Sequence, residues 1–143
     1  MDKQRFYVDT EGNDLEAYRK AMQFGCKLAD IYTEIKRVIL LINHVQDTGR
    51  FERLYGPDVV KRLFDGVSFK GCKPLVKIET LQSYEDNDRH SDLVISCGLD
   101  SDEISKIDDF NSVKVVVSIP WLRRSLESWV KRWNPKEIRV DNG

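Results

Sequence analysis

The sequence predicts an α/β fold, a three-layer sandwich with a mostly parallel central sheet of about four to six strands. Three observations carry this reading. Short β-branched runs alternate along the chain with segments whose apolar residues recur every three or four positions, the pattern of strands joined by crossover helices. The run Val38, Ile39, Leu40, Leu41, Ile42 is apolar on both faces, which suits a strand covered on both sides. After residue 118, Leu122, Leu126, Trp129, Val130 and Trp133 form one amphipathic stripe, with Arg123, Arg124, Glu127, Lys131 and Arg132 on the other faces.

Each element follows from its own residues. Phe6, Tyr7 and Val8 read as a strand, ended by the turn-forming run Asp9, Thr10, Glu11, Gly12, Asn13. A helix follows, capped by Asn13 or Asp14, with Leu15, Tyr18, Ala21 and Met22 on one stripe and Gly25 as its stop. Residues 26–32 alternate loosely and fit a strand; they fit equally a helix running on through Gly25 at a cost of about 1 kcal/mol. Residues 37–42 are the clearest strand. Residues 46–73 are less regular, with a helix beginning at Pro57, carrying Val60, Leu63 and Phe64, and ending by Gly66. Residues 75–79 and 93–96 read as strands separated by a polar loop. Asp100 or Ser101 caps a short helix holding Ile104 and Ile107, residues 113–117 form the last strand, and Ser118 and Pro120 open the final helix. Asn134-Pro135 stops it.

The 143 residues are expected to form a single domain spanning 1–143, long enough for an ordinary core without disulfides or metals. The longest apolar runs fall far short of the roughly 20 residues that cross a bilayer, so no membrane partner is expected. The opening MDKQRFYVDT has no apolar stretch of the secretory kind, and Cys26, Cys72 and Cys97 are odd in number and widely spaced; both point to an intracellular protein with reduced thiols. Net charge is −1, yet it is unevenly spread. Residues 85–109 hold nine acids against Arg89 and Lys106, whereas residues 113–143 hold seven Lys and Arg against three acids. Charged partners are therefore met locally.

The eight glycines match neither dinucleotide nor P-loop spacing, so no nucleotide cofactor is expected. His44 and His90 lie far apart and the cysteines lack paired spacing, so no metal site is expected either. Asp9, Asp100 and Asp102 could meet at one sheet edge and bind Mg²⁺ for phosphodiester hydrolysis, against the plainer reading of turn and cap residues. Cys97 just past a strand has no identifiable base and reads as a buried thiol. Thr10, in a tight turn ahead of a helix, could bind an anion together with Lys106. The basic set Arg123, Arg124, Lys131 and Arg132 could contact DNA phosphates or an acidic partner; its plainer reading is a solvated helix face.

Two segments resemble the BRCT domain family, the phosphopeptide- and protein-interaction modules of DNA-damage and checkpoint proteins. Residues 5–42, RFYVDTEGNDLEAYRKAMQFGCKLADIYTEIKRVILLI, resemble that family's opening strand, first helix and next two strands, with Phe24-Gly25-Cys26 where a glycine pair is frequent. Residues 113–140, VKVVVSIPWLRRSLESWVKRWNPKEIRV, resemble its last strand, its V-V-S-p-x-W-L-x-x-S helix and its closing segment. In this register residues 44–99 are an insertion or extra elements. An alternative register opens at Val38, takes the helix after Pro57 as the first helix and residues 75–79 and 93–96 as middle strands, and leaves residues 1–36 as an extension.

The resemblance implies a non-enzymatic adaptor without cofactor, located in the nucleus and working in DNA repair, checkpoint or chromatin assemblies. It implies a protein partner, phosphorylated where Thr10, Gly12 and Lys106 form the phosphate pocket, although Glu11 stands between the hydroxyl and the glycine. Trp121 matches the signature core tryptophan, and Trp129 is expected in the core beside it. Two alternatives accompany it: the small Mg²⁺-dependent nuclease of Asp9, Asp100 and Asp102, and DNA-phosphate binding by the basic C-terminal helix.

Overall fold

The computed structural model describes residues 2–139 and shows an α/β fold built on one six-stranded, all-parallel sheet. In chain order the elements are β1 (Gln4–Val8), α1 (Leu15–Ile31), β2 (Arg37–Ile42), α2 (Gly49–Tyr55), α3 (Pro57–Leu63), β3 (Leu75–Thr80), β4 (Asp92–Cys97), α4 (Ser101–Asp108), β5 (Val113–Ile119), a 3-10 turn (Arg123–Leu126), α5 (Glu127–Trp133) and β6 (Lys136–Ile138). The strands lie in the order β3-β2-β4-β5-β1-β6. Among the described residues no helix is long and apolar enough to cross a membrane. Val140, the last residue of the BRCT-like closing segment, lies outside the described residues.

Two cores, one on each face of the sheet, make the sandwich. The doubly apolar β2 serves both, as its composition predicts: Val38, Leu40 and Ile42 pack with α1, α2 and α3, while Ile39 and Leu41 pack with α4 and α5. On β5 the alternation slips, because Val113 shares a core with Val116 rather than with Val115 and Val117. A register shift between Asp92 and Leu93 adds the extra residue that causes it. On the second face the loop between β3 and β4 adds Tyr84 to the same core, with Ile39, Leu41 and Val94.

Four sequence expectations are corrected. Gly25 does not end α1: a side chain there would sit 3.1 Å from Ile95 and 3.2 Å from Leu93, so the glycine marks where the helix touches β4. The helix runs on to Ile31, which removes the strand that the first BRCT-like register needs in residues 26–32. Residues 44–99 supply α2, α3, β3 and β4, and β4 is paired on both sides. β1 is likewise paired on both sides, by β5 and β6, so residues 1–36 are not an appended extension. Finally, β5 continues to Ile119 with Ser118 and Pro120 buried, and the last helix begins only at Glu127, after the 3-10 turn Arg123–Leu126.

Candidate functional site

In an open parallel sheet, ligands meet the loops beyond the carboxyl ends of the strands, where neighbouring connections leave towards opposite faces. That condition holds between β5 and β1 and between β2 and β4, since α1, α2 and α3 lie on one face and α4 and α5 on the other. The loops after β1, β2, β4 and β5 gather there.

The loop after β1 is held by its own hydrogen bonds. Gly12, at φ +70°, donates its N–H to the Trp121 carbonyl at 2.7 Å and so ties this loop to the one after β5. Asp14 caps α1 by accepting from the Ala17 N–H at 3.2 Å, and its other oxygen accepts the Thr10 hydroxyl at 2.8 Å. Across the junction, Asp9 accepts from the Arg123 Nε at 2.6 Å and Glu11 accepts the Arg123 backbone N–H at 3.1 Å.

The sequence-derived site residues separate under this geometry. Thr10 is buried and donates to Asp14. Lys106 lies in the last turn of α4, two residues before Asp108, which is bonded to Arg5 at the start of β1; Thr10 follows the end of that strand. Thr10 and Gly12 follow the carboxyl end of β1, and Lys106 sits in the last turn of the helix that follows β4. Asp9 is engaged by Arg123, while Asp100 and Glu103 form a reciprocal capping box at the start of α4, with distances of 2.9 and 3.0 Å. Among the described residues no group of three His, Cys, Asp or Glu side chains is placed to hold a metal ion, and that includes the alternative trio Asp9, Asp100 and Asp102. Cys97 is buried, its thiol pushed up to about 12 by desolvation, with Arg50 pulling weakly the other way.

Trp129 is in the core, and its indole N–H donates to Asp108 at 2.9 Å. Trp121 is not: it is 48% exposed, with Leu122 beside it at 39%. The apolar stripe of the last helix begins one turn later than the spacing suggested, which leaves Trp121 and Leu122 on the loop that crosses the sheet edge. Of the basic set, Arg123 is tied to Asp9, whereas Arg124, Lys131 and Arg132 are exposed. The Arg132 guanidinium stands 4.9 Å from the Trp133 ring centroid and that of Arg5 stands 3.6 Å from it.

What the sequence reading missed is the ground beside Trp121. Gly98, at φ +78°, ends β4 without a side chain; a Cβ there would meet the Arg50 guanidinium at 3.5 Å and the Trp121 Cβ at 4.0 Å. Arg50 reaches this point from α2, donating to the Tyr18 hydroxyl at 2.8 Å with its guanidinium 4.8 Å from the Tyr18 ring centroid. A cavity of about 170 Å³ opens here, lined by Asn13, Asp47, Gly49, Arg50, Arg53 and Trp121. Asp47 is its only carboxylate and accepts the His44 backbone N–H at 3.0 Å; among the described residues neither Arg50 nor Arg53 has an ion-pair partner. The spacing of Arg50 and Arg53, three positions apart after a glycine, was the available signal. Beneath this edge, Ser96 and Ser118 are register partners on β4 and β5, both fully buried, and among the described residues neither hydroxyl has a hydrogen-bond partner.

No protein-family model, curated protein or solved structure matches the chain. The BRCT-like resemblance accordingly rests on the residues quoted for it.

Proposed function

We propose that this protein is a non-enzymatic interaction module that holds a protein partner at the carboxyl edge of its sheet. The observation that carries the reading is the half-exposed Trp121, fixed by its carbonyl to Gly12 and bordered by Leu122 and by two arginines without carboxylate partners. Tryptophan and arginine are the residue types that dominate binding hot spots, and an anchor on a braced loop loses little entropy when it docks. An acidic partner segment, phosphorylated or not, is the chemistry that Arg50 and Arg53 would accept.

The nuclear, genome-maintenance setting belongs to this proposal through the BRCT-like resemblance. Support comes from residues 38–97, where the register opening at Val38 has strands and a first helix that coincide with β2, α3, β3 and β4, while β1 and α1 are additional to that register. Binding of DNA phosphates is the second reading, favoured by the exposed Arg124, Lys131 and Arg132, which have no ion-pair partner among the described residues.

The test is capture of a degenerate peptide library, phosphorylated and unphosphorylated, by the immobilised chain. Trp121→Ala is expected to weaken captured peptides about 30-fold, the scale of a hot spot near 2 kcal/mol, and Arg53→Ala to act in the same direction. Lys131→Ala should leave them unchanged. Peptide capture indifferent to Trp121 and Arg53 would reject this edge as the binding face, and steeply salt-dependent DNA binding lost with Lys131 and Arg132 would favour the second reading.

A further inference from the structure

An open groove of about 700 Å³ runs beside α1, away from the carboxyl-edge site. Two cysteines from distant parts of the chain line it: Cys26 on α1, partly exposed, and Cys72 in the turn before β3, 5% exposed. Three features hold them opposite each other. The turn is closed by the Cys72 N–H donating to the Phe69 carbonyl at 3.1 Å, with Gly71 at φ +85° supplying the left-handed corner. The next residue, Lys73, donates its backbone N–H to the Asp30 carboxylate at 3.3 Å, and Asp30 lies one helical turn beyond Cys26 on the same face of α1. No disulfide joins them, and the two thiols are near enough to perturb each other's ionisation, Cys26 acting on Cys72 as a hydrogen-bond donor.

We propose that Cys26 and Cys72 are a hydroperoxide-oxidised pair that closes into a reversible disulfide, fastening α1 to the turn ahead of the edge strand β3. In the first step the Cys72 sulfur attacks the terminal oxygen of ROOH. The O–O bond breaks, ROH leaves with the thiol's proton, and Cys72 becomes a sulfenic acid. In the second step the Cys26 sulfur attacks the Cys72 sulfur; the S–O bond breaks and hydroxide leaves with the Cys26 proton as water. Two thiols have lost two hydrogens and two electrons, and the hydroperoxide has been reduced to ROH and water. Cys72 suits the attacking role because the hydrogen bond from Cys26 favours its thiolate, outweighing burial and the nearby Asp30, and holds it below the ordinary thiol value. The same bond, with burial, raises Cys26, which is then the resolving thiol. Cys72, 5% exposed as a residue, lines the open groove, which suits a small hydroperoxide better than a protein disulfide. Cys97 provides an internal control, being buried with its thiol donating to the Ile95 carbonyl at 3.4 Å.

The experiment exposes the purified chain to hydrogen peroxide, blocks remaining thiols, and measures intact mass and a non-reducing peptide map. The expected product is a monomer lighter by two hydrogens, with a Cys26–Cys72 linked peptide that dithiothreitol releases and with Cys97 still free. Cys26→Ser should stop at a Cys72 sulfenic acid that dimedone traps, and Cys72→Ala should consume peroxide at least tenfold more slowly. Links between molecules, oxidation spread equally over Cys97, or a Cys26 and Cys72 that stay unlinked would each overturn the proposal. The wild-type map decides the matter by itself should Cys72→Ala not fold.

Discussion

The two edges of the sheet are built on opposite rules. At the amino edge, every buried charge has partners. Asp92, fully buried at the start of β4, takes two hydrogen bonds of 2.9 and 2.8 Å from Arg37 at the start of β2 and one of 2.6 Å from the Tyr84 hydroxyl. Asp108, at the end of α4, takes bonds from Arg5 at 2.7 and 2.9 Å and from Trp129 at 2.9 Å, while Lys3 donates to its backbone carbonyl. At the carboxyl edge, a tryptophan stands half in water and, among the described residues, Arg50 and Arg53 have no ion-pair partner and the buried Ser96 and Ser118 hydroxyls have no hydrogen-bond partner. Buried polar groups cost stability unless satisfied, so the first edge secures the fold and the second holds groups whose partners lie elsewhere.

The largest effect that would break this contrast is expected at Asp108. Burial alone would raise its carboxyl, but the bonds from Arg5 and Trp129 and the charges of Arg5 and Lys3 outweigh burial and hold it below the ordinary carboxylate range. Its folded value is depressed, so its contribution is complete above the unfolded value of about 3.9 and disappears as the pH falls through the folded value. Asp108→Asn should cost about 3 kcal/mol at neutral pH in urea unfolding, because the partly buried Arg5 loses its counter-charge. The gap to wild type should narrow as the pH is lowered below about 4. A constant gap down to strong acid would mean that the carboxylate's charge is not what matters.

A smaller effect of opposite sign is expected at the other edge. Ser118→Ala removes a buried hydroxyl that has no partner, and stability should rise by about 1 kcal/mol. Ser96→Ala should do the same. A loss in either variant would show that the hydroxyl is satisfied in solution and that the edges are less different than the geometry makes them.

The contrast also explains which parts of the molecule could be read in the sequence. The doubly apolar β2, the cap at Asp100, the core Trp129 and the stop at Asn134, which adopts φ +46°, are local signals, each contained within a few residues. The amino-edge clusters were not legible because their members are 55 residues apart for Arg37 and Asp92 and 103 for Arg5 and Asp108, and the charges alone resemble any solvated pair. Gly25 was misread for a related reason. A glycine inside a helical pattern signals either a stop or a close approach, and only the position of β4 decides between them. At the carboxyl edge the chemistry-bearing residues Asp9, Thr10 and Asp100 were found, but their roles were not, since a cap and a ligand require the same side chains.

The smallest predicted effects separate those two roles at Thr10 and Lys106. A shared phosphate pocket would make both Thr10→Ala and Lys106→Ala weaken a phosphopeptide by about 1.5 to 3 kcal/mol. The structure gives a different pair of outcomes. Thr10 spends its hydroxyl on the Asp14 carboxylate that caps α1, so Thr10→Ala should lower stability by about 1 kcal/mol while peptide affinity stays within twofold. Lys106 is exposed in the last turn of α4, and Lys106→Ala should change neither quantity beyond about 0.5 kcal/mol. Urea unfolding and peptide titration on the same two variants decide it. Equal losses of affinity in both would restore the Thr10 and Lys106 pocket.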